Sequence, residues 1–232
     1  RESRKPAAAV DQLLTHGAVV MHEPRQSLTV SILPGTPNEP PRTMSKTLGY
    51  DFFRSAINVS TRSSRNQKMD KDKVLAAVAK LSDLRRLRLT KLTLSTRDLN
   101  RISGLTELVA LDLSRTRLDR GSVAWLQDTQ LHWFDASHTW LGDTALHDLS
   151  RCPNLQYLNM ERSTITNAGL QHLYGMNNLR YLNLKRCNVT LAAVQKLSAA
   201  IPKCFIQFEP LVLDGQGRTK VAAARRGAVQ LG

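Results

Sequence analysis

Leucine returns in this chain at Leu84, Leu108, Leu131, Leu155 and Leu179, with separations of 24, 23, 24 and 24 residues. A fixed period of that length restricts the architecture more than any other feature. A unit this short cannot bury its own apolar face, so the units must stack on one another into an elongated repeat structure.

Each unit carries two internal periods. In the first, Leu81, Leu84, Leu87 and Leu89 lead to Leu92, Leu94, Leu99 and Ile102; in the fourth, Cys152, Leu155, Leu158 and Met160 lead to Ser163, Ile165, Leu170 and Leu173. The L-x-L step puts residues i and i+2 on one face, as a strand does. The later pair, such as Leu170 and Leu173, has the i, i+3 spacing of a helix face. Thr166, Thr190, Asp119 and Asp143 precede these helical segments and suit N-cap positions. The third unit is one residue short between Leu126 and Leu131, which trims the return from helix to strand. The row Thr116, Thr139, Ser163 and Cys187 places a small hydrogen-bonding side chain where the turn leaves backbone groups to satisfy. The expected fold is therefore α/β: a leucine-rich-repeat solenoid with a curved parallel sheet, short helices on its convex side and an N-terminal α+β cap.

Four regions follow from the pattern. Residues 1–45 form the cap and a connector: a helix over Pro6–His16, strands over Ala18–His22 and Leu28–Leu33, then the proline-rich run 34–41. Residues 46–80 make an irregular first repeat. It holds a helix over Met44–Arg54 at its entry, a strand over Ala56–Ser60, a polar basic insertion over Thr61–Lys68, and a helix capped by Asp70 carrying Val74, Leu75 and Val78. Residues 81–208 hold the regular repeats and a closing strand within Ile201–Phe208, and residues 209–232 read as a basic tail without regular structure.

Charge and cysteine usage bound the function. The formal net charge is +14, which favours acidic partners: nucleic acid, anionic lipid or an acidic protein surface. Residues 121–160 depart from this, with Asp128, Asp135, Asp143 and Asp148 against the single base Arg151, and an acidic stretch in the middle of a solenoid argues against tracking a polyanion along its length. Cys152, Cys187 and Cys204 are odd in number, lack C-x-x-C spacing and fall at inward positions, so they are expected as small buried hydrophobes. No apolar run reaches the roughly 20 residues that span a bilayer. The sequence leaves the compartment open between the cytoplasm and, if a leader or anchor was removed before Arg1, a soluble face of the cell envelope.

The loop Thr164-Ile165-Thr166-Asn167-Ala168-Gly169-Leu170 resembles a bacterial form of leucine-rich repeat, in which a strand ends in Thr or Ser before an aliphatic-Thr-Asp/Asn-x-Gly-Leu loop. His138-Thr139-Trp140-Leu141-Gly142-Asp143 is a looser copy. Gly49-Tyr50-Asp51-Phe52-Phe53 stands where some members carry a Gly-Asp-Asp-Phe-Phe-like segment, and Ala200-Ile201-Pro202-Lys203-Cys204-Phe205-Ile206 resembles their closing segment. The resemblance implies an interaction module and supplies no catalytic residues.

Candidate binding residues lie between the inward leucines, on the hollow side of the sheet. One column reads Arg86, Ala110, Trp133, Tyr157 and Tyr181; the next reads Arg88, Asp112, Asp135, Asn159 and Asn183. Large aromatics on an open sheet would serve as anchors for a protein partner; the alternative is that they stack on one another and on the capping segments. The Asp/Asn column would hydrogen-bond a peptide or form a solvated face. A third row, Lys91, Arg115, His138, Arg162 and Arg186, sits just beyond the strands, one per unit, and is the candidate for nucleic acid or another polyanion.

Enzyme readings are poor. There is no G-x-S-x-G, H-E-x-x-H or phosphate loop. His132 and His138 lack Cys or His at metal-ligand spacing, so neither a metal nor a cofactor is expected. Asp112 and Asp135 can approach each other, but a carboxylate pair without a cleft is weak evidence for acid–base work. The reading is a non-catalytic protein-binding or scaffold module, with an accessory subunit of a larger assembly as its variant and polyanion binding as the rival.

Overall fold

The computed structural model describes residues 71–118 and 122–209 in full, and beyond them the backbone of five short strands at 21–23, 27–29, 57–60, 211–213 and 219–221. The expected helices over Pro6–His16 and Met44–Arg54, the insertion over Thr61–Lys68 and the caps at Asp70 and Asp119 lie outside the described residues. Strands β1 (Met21–Glu23) and β2 (Ser27–Thr29) pair antiparallel, each reaching one residue further into the turn than the span read in the sequence.

The repeats then build one parallel sheet. Strand β3 (Ile57–Ser60) and helix α1 (Lys71–Val78) precede β4 (Arg86–Thr90), the two-residue β5 (Thr93–Leu94) and helix α2 (Thr96–Asn100). Next come β6 (Ala110–Asp112), β7 (Arg117–Leu118) and a 3-10 helix at Ala124–Asp128. Strand β8 (Trp133–Asp135) leads to α3 (Asp143–Leu149), and β9 (Tyr157–Asn159) to α4 (Asn167–Leu170) with a 3-10 turn at Gln171–Leu173. Strand β10 (Tyr181–Asn183), α5 (Leu191–Ala200) and β11 (Phe205–Gln207) close the stack. The sheet order is β11-β10-β9-β8-β6-β4-β3, and each strand pairs in parallel with the next at one position per unit, Leu87 against Leu111, Phe134, Leu158, Leu182 and Ile206 in turn. β5 and β7 form a second, two-stranded parallel pair.

The core lies between the sheet and the helices, as the leucine pattern requires. Leu111, Phe134, Leu158 and Leu182 are sealed from solvent, with Leu113, Ala136, Met160 and Leu184 beside them. Full burial of one such aliphatic side chain contributes about 1.5–3 kcal/mol. The three cysteines are unpaired and buried, as expected; burial pushes the thiols of Cys152 and Cys204 up to about 12. The turn row does what its chemistry predicts. Thr139 Oγ1 and Ser163 Oγ each donate to the carbonyl three residues back, at 2.6 Å, and Thr116 Oγ1 donates to Leu89 O in the preceding unit at 2.5 Å. The short third unit is accommodated by the 3-10 helix at Ala124–Asp128, whose rise of about 2.0 Å per residue spans the return with fewer residues.

Two expectations are corrected. Thr166 and Thr190 cap their helices, but Asp143 does not: Gly142 is the N-cap of α3, and the Asp143 carboxylate instead accepts from Thr166 N (2.9 Å) and Thr166 Oγ1 (2.5 Å) in the following unit. A cross-unit bond of this kind is invisible to a local capping rule. The tail also holds regular structure, since β12 (Leu211–Leu213) and β13 (Thr219–Val221) pair antiparallel.

The Asp143 bond explains Gly169. A Cβ at Gly169 would lie 2.2 Å from Asp143 Oδ1 and 2.7 Å from its Cγ. Gly169→Ala should therefore displace the carboxylate from Thr166 and cost about 1–3 kcal/mol. Urea denaturation of the variant checks this, and a loss under about 0.5 kcal/mol would show that the loop adjusts freely.

Candidate functional site

The helix-free face of the sheet carries both columns read in the sequence, but not as an open surface. Trp133, Tyr157 and Tyr181 are 7%, 4% and 8% exposed, and with Ala110 they make a second buried apolar cluster separate from the leucine core. Their register is one ring per strand. The Trp133 and Tyr157 centroids are 5.1 Å apart with planes at 13°, and Tyr157 and Tyr181 are 4.7 Å apart at 3°. These spacings follow the roughly 4.8 Å separation of neighbouring strands. Phe205 on the closing strand continues the stack at 5.9 Å and is 38% exposed. The expectation of exposed anchors is thus corrected: the rings are buried, and they pack on one another and on the closing strand. The Tyr181 hydroxyl donates to Gln207 Oε1 at 2.6 Å, and burial lifts its phenol to about 12.

The polar column is also buried, and its oxygens are committed to the backbone. Asp112, Asp135, Asn159 and Asn183 each accept, through Oδ1, from the backbone N–H two residues on: Ser114 and Ser137 at 2.8 Å, Glu161 at 3.1 Å and Lys185 at 3.0 Å. Each thereby makes an Asx turn at the end of its strand. The remaining atoms link units sideways. Asn159 Nδ2 donates to Asp135 Oδ2 at 2.9 Å, Asn183 Nδ2 donates to Glu161 Oε2 at 3.3 Å, and the half-buried Arg88 meets Asp112 Oδ2 at 2.7 Å. Asp135 faces Asp112 across β6 and β8. Burial, with the neighbouring Asp112 charge, pushes its carboxyl up to about 6. The pair has a framework role, and each member already holds a turn together.

The Asx turns set up the third row. One residue past each bonded N–H, the chain enters the left-handed region: φ is 57° at Arg115, 57° at His138, 55° at Arg162 and 57° at Arg186, and Lys91 in the first unit has 61°. Such a conformation is uncommon for a residue with a Cβ and favours Gly or Asn. The corners are stapled together as well: Arg115 N donates to Ser137 O, His138 N to Glu161 O and Arg162 N to Lys185 O, at 2.8, 2.7 and 3.0 Å. Lys91, Arg115, Arg162 and Arg186 are exposed and His138 is half-buried. All five thus stand on the rim of the stack, in line.

Two further rim residues carry no signal in the repeat pattern and were not singled out from the sequence. Trp140, two residues past His138, is 53% exposed, and the Arg117 guanidinium lies over its ring at 5.1 Å from the centroid. Arg117 itself is exposed, two residues past Arg115. The acidic stretch proves not to be an acidic surface. Asp135 is inside the ladder, Asp143 holds Thr166, and Asp148 accepts from Ser122 Oγ at 2.6 Å and Val123 N at 2.9 Å. Of the four aspartates only Asp128 is exposed.

Among the described residues there is no group of three or more His, Cys, Asp or Glu able to hold a metal ion, and no helix long and apolar enough to cross a membrane. No protein-family model and no curated protein matches the chain. Solved structures do. A leucine-rich-repeat protein of Leptospira interrogans aligns at 20% identity and a TM-score of 0.49, over 57% of this chain and 33% of that one. An internalin of Listeria monocytogenes aligns at 15% and 0.41, over 56% and 43%, and a chain of the mouse RP105/MD-1 complex at 18% and 0.44, over 54% and 22%. This chain spans less than half of each of these proteins. The solenoid assignment rests on the one-to-one stacking of parallel strands rather than on these likenesses.

Proposed function

We propose that this chain is a non-catalytic interaction module that holds a partner protein along the rim from Lys91 to Arg186, rather than in the hollow of the sheet. One observation carries the reading: every regular unit puts a cation or His138 at a left-handed corner, and four of the five are exposed. The fold needs the corner but not the charge, since Gly or Asn would adopt it with less strain. Strained residues kept against local preference gather where their side chains serve a function. The columns first read as partner-binding, Trp133, Tyr157 and Tyr181 with Arg88, Asp112, Asp135, Asn159 and Asn183, support the rim from behind. A place as an accessory subunit of a larger assembly fits the same long edge.

Affinity capture with the full chain tests this. Arg115→Gly with Arg162→Gly removes two rim charges at positions where glycine is at ease, so stability should stay within about 1 kcal/mol of the parent. Recovery of the partner should fall tenfold or more, while Tyr174→Ala on the helix side should leave it unchanged. Full recovery with the double variant would take the interface off the rim.

A further inference from the structure

Resting on that reading of the rim, we infer that the element it receives is an extended acidic segment of the partner, whose carboxylates meet the corner cations and whose chain crosses Trp140. The chemistry is already displayed once within this molecule. Glu209, two residues past β11, brings its carboxylate to the last corner: Oε1 lies 3.6 Å from Lys185 Nζ and Oε2 lies 3.9 Å from Arg186 Nε. A polypeptide carrying a carboxylate therefore fits against this row, and the remaining corners repeat the left-handed backbone at the strand spacing, with Thr90, Ser114, Ser137 and Glu161 in the place of Lys185. Five corners about 4.8 Å apart span about 19 Å. An extended chain covers that distance in about six residues.

The neighbourhood supports the same occupant. The carboxylates nearest the rim are turned to internal donors: Asp112 and Asp135 to the Asx turns, Glu161 to Asn183. An incoming acidic segment is thus met chiefly by Lys91, Arg115, Arg117 and Arg162, since Glu209 already lies against Arg186. Trp140 supplies the apolar contact that charge alone lacks. The Arg117 guanidinium backs one side of its ring, leaving the indole half-exposed beside His138. Aromatic and arginine side chains together are the usual energetic centre of an interface. Charge attraction along the row steers the approach, and the indole sets the position along it.

Fluorescence anisotropy with the full chain decides the matter, using three labelled probes. These are a 12-residue peptide alternating Glu with Gly, its Gln counterpart, and an oligo-dT strand of equal formal charge. The Glu peptide should bind, the Gln peptide should not, and the affinity should fall steeply between 50 and 200 mM salt. Arg115→Gly with Arg162→Gly should weaken Glu-peptide binding tenfold or more. Trp140→Ala should weaken it several-fold while leaving the salt dependence as it was. An oligo-dT strand that binds tenfold tighter than the Glu peptide would assign the row to phosphodiesters and overturn the inference. So would a Glu peptide that fails to bind, or that binds the double variant as it binds the parent. If the double variant loses its captured partner while the Glu peptide does not bind, the rim remains the interface and only the acidic segment falls.

Discussion

Tyr157→Ala should lower the folding free energy by about 3–5 kcal/mol, a loss expected of a core residue rather than of a surface aromatic. The ring is 4% exposed and lies between two others, 5.1 Å from Trp133 and 4.7 Å from Tyr181. Truncation removes both ring contacts, each contributing about 0.5–1.5 kcal/mol beyond simple burial, and opens a cavity between units. Stability in a stacked repeat is close to a sum of unit and nearest-neighbour terms, so the deficit falls at the β8–β9 and β9–β10 junctions. Tyr157→Phe keeps the stack and should cost under about 1 kcal/mol. Guanidinium denaturation of both variants, with Tyr174→Ala as an exposed comparison, measures the difference. A deficit near 1 kcal/mol for Tyr157→Ala would mean that the aromatic column is a surface after all and would restore it as a binding site.

The second large effect is a pH dependence centred on Asp135. Its carboxyl ordinarily ionises near 3.8 and in the folded chain is pushed up to about 6, first by burial and then by the Asp112 charge. The native state therefore holds its proton more tightly than the unfolded chain does. Stability from this group is greatest below about pH 4, falls as pH rises from about 4 to about 6, and is level above that. Asp135→Asn should remove the slope, while Asn159 Nδ2 loses its acceptor. The amide is acceptable in this place because the next two rungs, Asn159 and Asn183, already take a backbone N–H through an amide oxygen. Urea midpoints measured from pH 4 to pH 7 test it. Equal slopes in the two proteins would remove Asp135 as the source.

The leucine period made the sheet, its register and its inner face legible, because alternation along a strand and a small residue at the turn are strictly local requirements. Leu158 and Met160 point inward for the same reason that Tyr157 and Asn159 point away. Alternation sets the side but not whether that side is covered. The rings of Trp133, Tyr157 and Tyr181 were thus placed on the right face with the wrong exposure. The fate of the acids was equally hidden. Asp143 and Asp148 bond into adjacent units 23 and 25 or 26 residues away, and composition cannot distinguish such a carboxylate from one facing solvent. The rim row was visible as one basic or histidine residue per unit. What could not be read was its backbone, since nothing in Arg115 or Arg162 announces a positive φ; only the Asx turn three residues earlier does so, once the aspartate or asparagine is known to fold back on the chain.

The staples between corners run only from one unit to the next, Arg115 to Ser137 and His138 to Glu161. Length is consequently a free variable in this architecture. Splicing in one more unit of 24 residues would add a rung, a ring and a cation together without disturbing those on either side, and deleting one would shorten all three in step. The reach of the rim can be tuned by whole-unit gain or loss in evolution, as a ruler is lengthened by its divisions, while point changes at the corners adjust only how firmly each division holds.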